Sequence, residues 1–290
     1  MDQIKELKLY KWQGLGNDFI ILVSDRCDTS ANSDLAVKLC NRHYGIGGDG
    51  LIYLFKDSEH IINMVIFNAD GTLAGMCGNG IRCLAAMAYR LGWITLGEAT
   101  AVRVGHSIKK VTVLSHEPYL VKVDMGKPTD LKKISGQLSD GTDYEGLEVS
   151  MGNPHLALIL PHYLMEAEDE DGHRQRHFAW PDVLTYGPKL EYASDDPQRA
   201  QDGQNVEFVI PQDKNNLHMR VWERGVGETL ACGTGACASF VAAHELGLCG
   251  SEAVVHLPGG RLAIAYGAEG HIMMTGPAEF VFEASMSPKD

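Results

Sequence analysis

The sequence predicts an α/β (α+β) protein of two pseudo-symmetric domains from an internal duplication. Each is expected as a curved, mainly antiparallel sheet wrapped around one central helix. Three observations carry this reading. Residues 77–92, CGNGIRCLAAMAYRLG, align with residues 232–247, CGTGACASFVAAHELG, and both run from Cys-Gly-x-Gly to Leu-Gly over the same span. An alternating run precedes each cysteine, NMVIFN at 63–68 and HMRVWE at 218–223, and each ends nine residues before it. Further out, LGNDFIIL (15–22) resembles MGNPHLAL (151–158), with Asn17 and Asn153 at the same place after glycine.

The elements follow from local pattern. Between Cys-Gly-x-Gly and Leu-Gly lie helix formers with few polar interruptions, which predicts a mostly buried helix closed by a glycine. Downstream, VTVLSHEPYLVKVDMGKP (111–128) and LAIAYGAEGHIMMTGP (262–277) each read as two strands, a turn and a Gly/Pro stop. The expected domains are residues 1–128 with 278–290, and 129–277. Two polar segments, EAEDEDGHRQRH (166–177) and ASDDPQRAQDGQ (193–204), read as solvated loops outside the active site.

Composition narrows the function. The chain has 290 residues, 44% apolar and 22% charged, ordinary for a soluble globular protein. Its net charge of −13, with no Lys/Arg cluster, opposes a phosphate backbone or an anionic membrane, so nucleic acid and membrane are not expected partners. The longest apolar runs, FIILV and LALIL, are strand length. The charged start, MDQIKELKLYKW, resembles no secretory signal, and a cytoplasmic location is expected. Seven cysteines without a CxxC pair fit reduced thiols better than a disulfide framework. The spacings C-x5-C and C-x4-C lack a nearby His pair, so no metal is expected.

Cys77 and Cys232 stand apart from the other five. A helix start leaves backbone N–H groups unpaired and carries partial positive charge. A thiol there is expected to ionise more readily than the free group, and flanking glycines let a carboxylate reach the bare N–H groups. One thiol-and-anion cradle per half suits a two-base racemase: a thiolate removes an α-proton and a thiol on the opposite face returns one. Cys83 and Cys237 lie within the apolar helices at different offsets and read as packing residues; Cys27, Cys40 and Cys249 have no such context.

These stretches closely resemble the diaminopimelate epimerase family. The likeness runs through GLGNDFI (14–20), GIGGDGLI (45–52), FNADGTLAGMCGNGIRC (67–83), MGNPH (151–155), NVEFV (205–209), VWERGVGETLACGTGACAS (221–239) and MTGPAEFVF (274–282). The resemblance implies interconversion of LL- and meso-2,6-diaminoheptanedioate, on the route to lysine and peptidoglycan precursors. It implies no cofactor, pyridoxal phosphate included, and a substrate held in the cleft between two α/β domains. Cys77 matches the proton donor and Cys232 the acceptor in one direction. Gly78 with Asn79, and Gly233 with Thr234, match the groups that bind the reacting end. Asn17, Asn68, Asn153, Asn205 and Arg224 match the substrate grip, with Arg224 suited to a distal carboxylate. Glu223 matches a residue at the substrate amino group that tunes the thiols, and His155 a second tuner.

Departures from the family pattern are few. Gly50 stands where some members carry Gln, AQDGQ replaces the usual run before NVEF, and 166–177 lengthens the second half. Phe282 occupies the place of a tyrosine that supports a homodimer in many members, which keeps the ring and loses the hydroxyl. A homodimer is still expected. The alternatives are a two-thiol racemase of proline, hydroxyproline or histidine, a redox sensor built on Cys77 and Cys232, and a module that binds an amino acid without chemistry.

Overall fold

The computed structural model describes residues 7–25, 27, 29–160, 164–168, 174–178 and 180–286. The chain divides into two compact units, Met1–Met125 with Thr275–Asp290, and Gly126–Met274. Five α-helices occur among the described residues: α1 (Thr29–Cys40), α2 (Gly78–Arg90), α3 (Val183–Leu190), α4 (Pro197–Asp202) and α5 (Gly233–Glu245).

In the first unit, Leu7–Gly14 and Asn17–Val23 form a hairpin in which Gly14 faces Asn17. Leu15 and Gly16 make its turn, both with positive φ, so Asn17 is delivered at a fixed point at the start of a strand. Asn17–Val23 runs parallel to Gly50–Lys56, with Phe19 opposite Gly50, and that strand pairs antiparallel with Ile62–Asn68. Beyond lie Thr100–Val104 and Ser107–His116, and Glu279–Met286 returns to pair with Leu7–Gly14. Helix α2 packs on several of these strands and buries every residue from Gly78 to Ala88. On the other side α1 covers Leu9, Ile20, Leu51, Tyr53 and Phe67 with Leu39 and Ala36.

The second unit repeats the plan. Pro154–Ile159 runs parallel to Asn205–Pro211, with His155 opposite Asn205, and Asn205–Pro211 pairs antiparallel with Asn216–Glu223. Asp143–Ser150, Glu252–Leu257 and Gly260–Tyr266 extend the pairing. Helix α5 buries Gly233 to Ala243 without a polar stripe, as a helix enclosed by sheet must. Both central helices end alike: Gly92 and Gly247 take positive φ, while Trp93 N–H donates to Ala88 and Leu248 N–H to Ala243.

The two segments expected as loops differ in structure. The charge run 166–177 falls partly in Leu164–Glu168 and Arg174–Phe178, which pair antiparallel; residues 169–173 lie outside the described residues. The run 193–204 contains α4, because Asp196 caps its first turn through the N–H groups of Gln198 and Arg199 and Pro197 starts it with a preset φ. Arg199 from this helix is buried and donates to the His155 carbonyl at 3.0 Å, so the segment borders the site.

Candidate active site

Each central helix opens on a cysteine. Cys77 caps α2 with extended backbone, and its sulfur accepts from Gly80 N–H at 3.3 Å. Cys232 caps α5 in the same way, accepting from Gly235 N–H at 3.3 Å. In both cases sulfur takes the place that a Ser or Asp oxygen usually fills at a helix start. Gly78 with Asn79, and Gly233 with Thr234, form the first turns.

Around Cys77 the partners come from a strand start and from the first turn of α2. The thiol donates to Asn17 Oδ1 at 3.7 Å, and Asn79 Nδ2 donates to the same oxygen at 3.2 Å. Asn17 Nδ2 donates to Asp49 Oδ2 at 2.7 Å, which fixes the amide so that oxygen faces the thiol. Asn68 ends its strand and donates to Thr72 Oγ1 at 2.9 Å. Gly50 lies against the neighbouring strand, where an added Cβ would come 2.7 Å from the Phe67 carbonyl.

Around Cys232 the partners are more buried and more charged. Thr234 Oγ1 lies 3.5 Å from the sulfur and accepts from Asn153 Nδ2 at 3.4 Å. Asn153 Oδ1 meets His155 Nε2 at 3.1 Å, and His155 Nδ1 meets Glu207 Oε1 at 2.7 Å. His155 and Glu207 are both fully buried. Glu223 ends the strand Asn216–Glu223 and accepts a short hydrogen bond from Thr229.

Asn205 ties Arg224 to this group: its Oδ1 accepts from Arg224 N–H at 3.0 Å, and its Nδ2 donates to the Pro154 carbonyl at 3.2 Å. A cavity of about 290 Å³ in this unit is lined by Ser150, Gly152, Asn153, Arg199, Gly203 and Arg224. Its amide and guanidinium groups, together with the carboxylates of Asp130, Asp196 and Asp202 on the same wall, suit a small polar ligand.

Electrostatics correct one expectation. Burial pushes the Cys232 thiol well above its ordinary range, and the Glu223 and Glu207 carboxylates push it further. The Thr234 hydroxyl and Gly235 N–H act the other way and lose. The helix start alone therefore does not lower this thiol, because burial and two nearby carboxylates outweigh half a positive charge. Burial likewise raises the Glu223 carboxyl, with Glu207 adding to the rise against its hydrogen bonds from Thr229 and Cys232. Burial also pushes Cys83 up to about 12 and Cys40 and Cys249 to about 11. All seven cysteines are reduced.

Thus the predicted residues other than Asn68, which bonds to Thr72, gather in two clusters, Asn17 and Asn79 at Cys77, and Asn153, His155, Glu223 and Thr234 at Cys232. Gly78 and Gly233 belong to the helix starts, while Asn205 and Arg224 line the adjoining strand end. Sequence reasoning did not single out Asp49, Glu207 or Thr229. An acid within the apolar run NVEFVI was the available signal for Glu207, since a buried carboxylate is rare without a partner. Among the described residues, no group of three or more His, Cys, Asp or Glu converges as metal ligands, and no helix is long and apolar enough to cross a membrane.

Comparison with known proteins follows the same lines. The profile described as diaminopimelate epimerase matches residues 9–131 and 147–281. The chain is 37% identical to the diaminopimelate epimerase of Desulfitobacterium hafniense, over 96% of this chain and 97% of that one. Among solved structures, its fold is similar to a PhzF-family phenazine biosynthesis protein of Bacillus anthracis, with a TM-score of 0.68 at 14% identity over 97% and 99% of the two chains. A hydroxyproline epimerase of Agrobacterium vitis gives 0.68 at 12% identity, covering 100% of this chain and 95% of the other.

Proposed function

The chain belongs to the diaminopimelate epimerase family and is an isomerase, and from that membership and the matched cysteine caps we propose how it works. It interconverts LL- and meso-2,6-diaminoheptanedioate, with Cys77 and Cys232 acting on opposite faces of one α-carbon and with no pyridoxal phosphate. The observation that carries this is the pair of equal caps, each sulfur held at 3.3 Å by the N–H three residues on.

In one direction Cys232, as thiolate, takes the α-proton. The electron pair left behind spreads onto the α-carboxylate, which the N–H groups of Gly78, Asn79, Gly233 and Thr234 hold as its charge grows. Cys77 then gives its proton to the opposite face, so the turnover ends with Cys232 protonated and Cys77 ionised. The reverse reaction starts from that state.

The raised Cys232 thiol makes substrate binding part of the activation. A substrate ammonium group against Glu223 offsets the carboxylate charge that holds the proton on sulfur, so the thiolate forms when the ligand is present. Arg224 grips the distal carboxylate, Asn17, Asn68, Asn153 and Asn205 hold the substrate, and His155 acts on the Cys232 side. The working form we infer is a cytoplasmic homodimer with domains 1–128 plus 278–290 and 129–277. Exposed Val281 and Phe282 on the strand Glu279–Met286 support an interface there.

The test is a substrate panel. Purified protein is incubated in heavy water with LL-diaminopimelate, proline, hydroxyproline or histidine, and α-deuterium is read by mass spectrometry. Label entering diaminopimelate alone is expected; label entering histidine or proline but not diaminopimelate overturns the assignment.

A further inference from the structure

The duplication supplies an internal comparison for the groups behind each cysteine. In the first unit the positions equivalent to His155 and Glu207 are Phe19 and Ile52, by the register of the parallel pairs Phe19 to Gly50 and His155 to Asn205. A methyl added at Gly80 would come 3.1 Å from Ile52 Cδ1, and one added at Gly235 would come 2.7 Å from Glu207 Oε1. The same framework thus folds around an apolar pair under one helix start and an ionisable pair under the other.

Packing does not call for the acid. Glu207 sits fully buried between Val206 and Phe208, and its Oε2 has no hydrogen-bond partner among the described residues. Its other oxygen begins a chain: to His155 Nδ1 at 2.7 Å, from His155 Nε2 to Asn153 Oδ1 at 3.1 Å, and from Asn153 Nδ2 to Thr234 Oγ1 at 3.4 Å. A hydroxyl that accepts from Asn153 turns its own proton to its other neighbour, the Cys232 sulfur at 3.5 Å. At Cys77 the polarity is opposite, since Asn17 Oδ1 offers the sulfur an acceptor.

We propose that Glu207 is a positioning residue that acts through His155 and Asn153 to aim the Thr234 hydroxyl proton at Cys232. The consequence for catalysis rests on the two-thiol reading above. The effect on the sulfur does not, because thiol reactivity can be read without turnover.

The test compares Glu207→Gln with Glu207→Ile in the full chain. Both remove the carboxylate charge, and only Gln keeps a partner for His155, an amide N–H that donates to Nδ1 and leaves Nε2–H for Asn153 Oδ1, so their difference reports the hydrogen-bonded chain. Iodoacetamide labelling of Cys232 and Cys77 is followed by peptide mass spectrometry at fixed pH. Cys232 in the Gln variant is expected to react at the native rate or faster, because a nearby negative charge has gone. In the Ile variant it is expected to react about tenfold more slowly than in the Gln variant, the loss of one oriented hydrogen bond. Cys77 keeps its rate in both.

Epimerase kcat should fall in the same order, with KM within about twofold of native. The variant His155→Phe with Glu207→Ile, which copies the first unit, stands in if the single Ile variant does not fold, and the same slowing is expected of it. Equal Cys232 rates in the Gln and Ile variants, or a Gln variant about tenfold slower than native, overturn the proposal. Labelling as expected in a protein that never turns over diaminopimelate would sink the functional reading and leave this one intact.

Discussion

Asn17 donates from Nδ2 to Asp49 Oδ2 at 2.7 Å, and this leaves Asn17 Oδ1 turned to the Cys77 thiol. Asp49 also accepts from Asp18 N–H and from Arg42, so its carboxylate is itself held. Replacing Asp49 by Ala frees the Asn17 amide to rotate. The expected result is a fall in kcat of about tenfold in both directions with the fold intact, while Asp49→Asn, which keeps one oxygen, stays within about threefold of native. Steady-state assays from each stereoisomer, with circular dichroism as the control for folding, check this.

Glu223 is expected to govern when Cys232 ionises. Its carboxylate is, after burial, the largest influence raising that thiol. In Glu223→Gln the pH curve for alkylation of Cys232 therefore moves to lower pH, since removing negative charge favours the thiolate. Turnover nevertheless falls, by about a hundredfold, because the substrate ammonium loses its counter-charge. A curve that stays in place, or moves to higher pH, contradicts the assignment of Glu223 as the controlling charge.

Asp18 gives a stability prediction with a defined pH window. Burial pushes its carboxyl up, but hydrogen bonds from Arg42 and Lys11 and the Lys11 charge win and bring it down to about 2 from an ordinary 3.8. Lys11 Nζ lies 2.5 Å from Asp18 Oδ2 and Arg42 Nη2 2.7 Å from Oδ1. A carboxylate lowered in the folded state stabilises it above the unfolded value and loses that contribution as pH falls through the folded value. Asp18→Asn should thus cost about 1–2 kcal/mol at neutral pH, discounted for the solvent-exposed Arg42. The gap between variant and native should close between pH 3.8 and about 2. Urea titrations across that range measure it.

Much of this architecture was legible because duplication writes the same signals twice. The matched Cys-Gly-x-Gly and Leu-Gly pairs marked both central helices, and the glycine ends at Gly92 and Gly247 are where the repeat put them. Composition misled at 193–204, where Asp196 and Pro197 form a helix start that a count of polar residues does not register. It misled again at 166–177, where strand pairing and not hydropathy decides the local structure.

The electrostatic state of Cys232 was hidden for a different reason. Its thiol is raised most by burial, then by Glu223, which the family resemblance pointed to, and by Glu207, which the local pattern around Cys232 does not show. Asp49 was equally invisible as a partner for Asn17, because a parallel strand pair brings them together across thirty-two residues.

The most direct measurement is α-proton exchange of LL-diaminopimelate in heavy water with the native protein and with Cys77→Ala and Cys232→Ala in turn. Two thiols sharing one carbon predict deuterium in the inverted product of the native protein and, in each variant, loss of epimerisation by several orders of magnitude, on the order of 10³-fold or more. A variant of either cysteine that inverts the substrate at the native rate would contradict it.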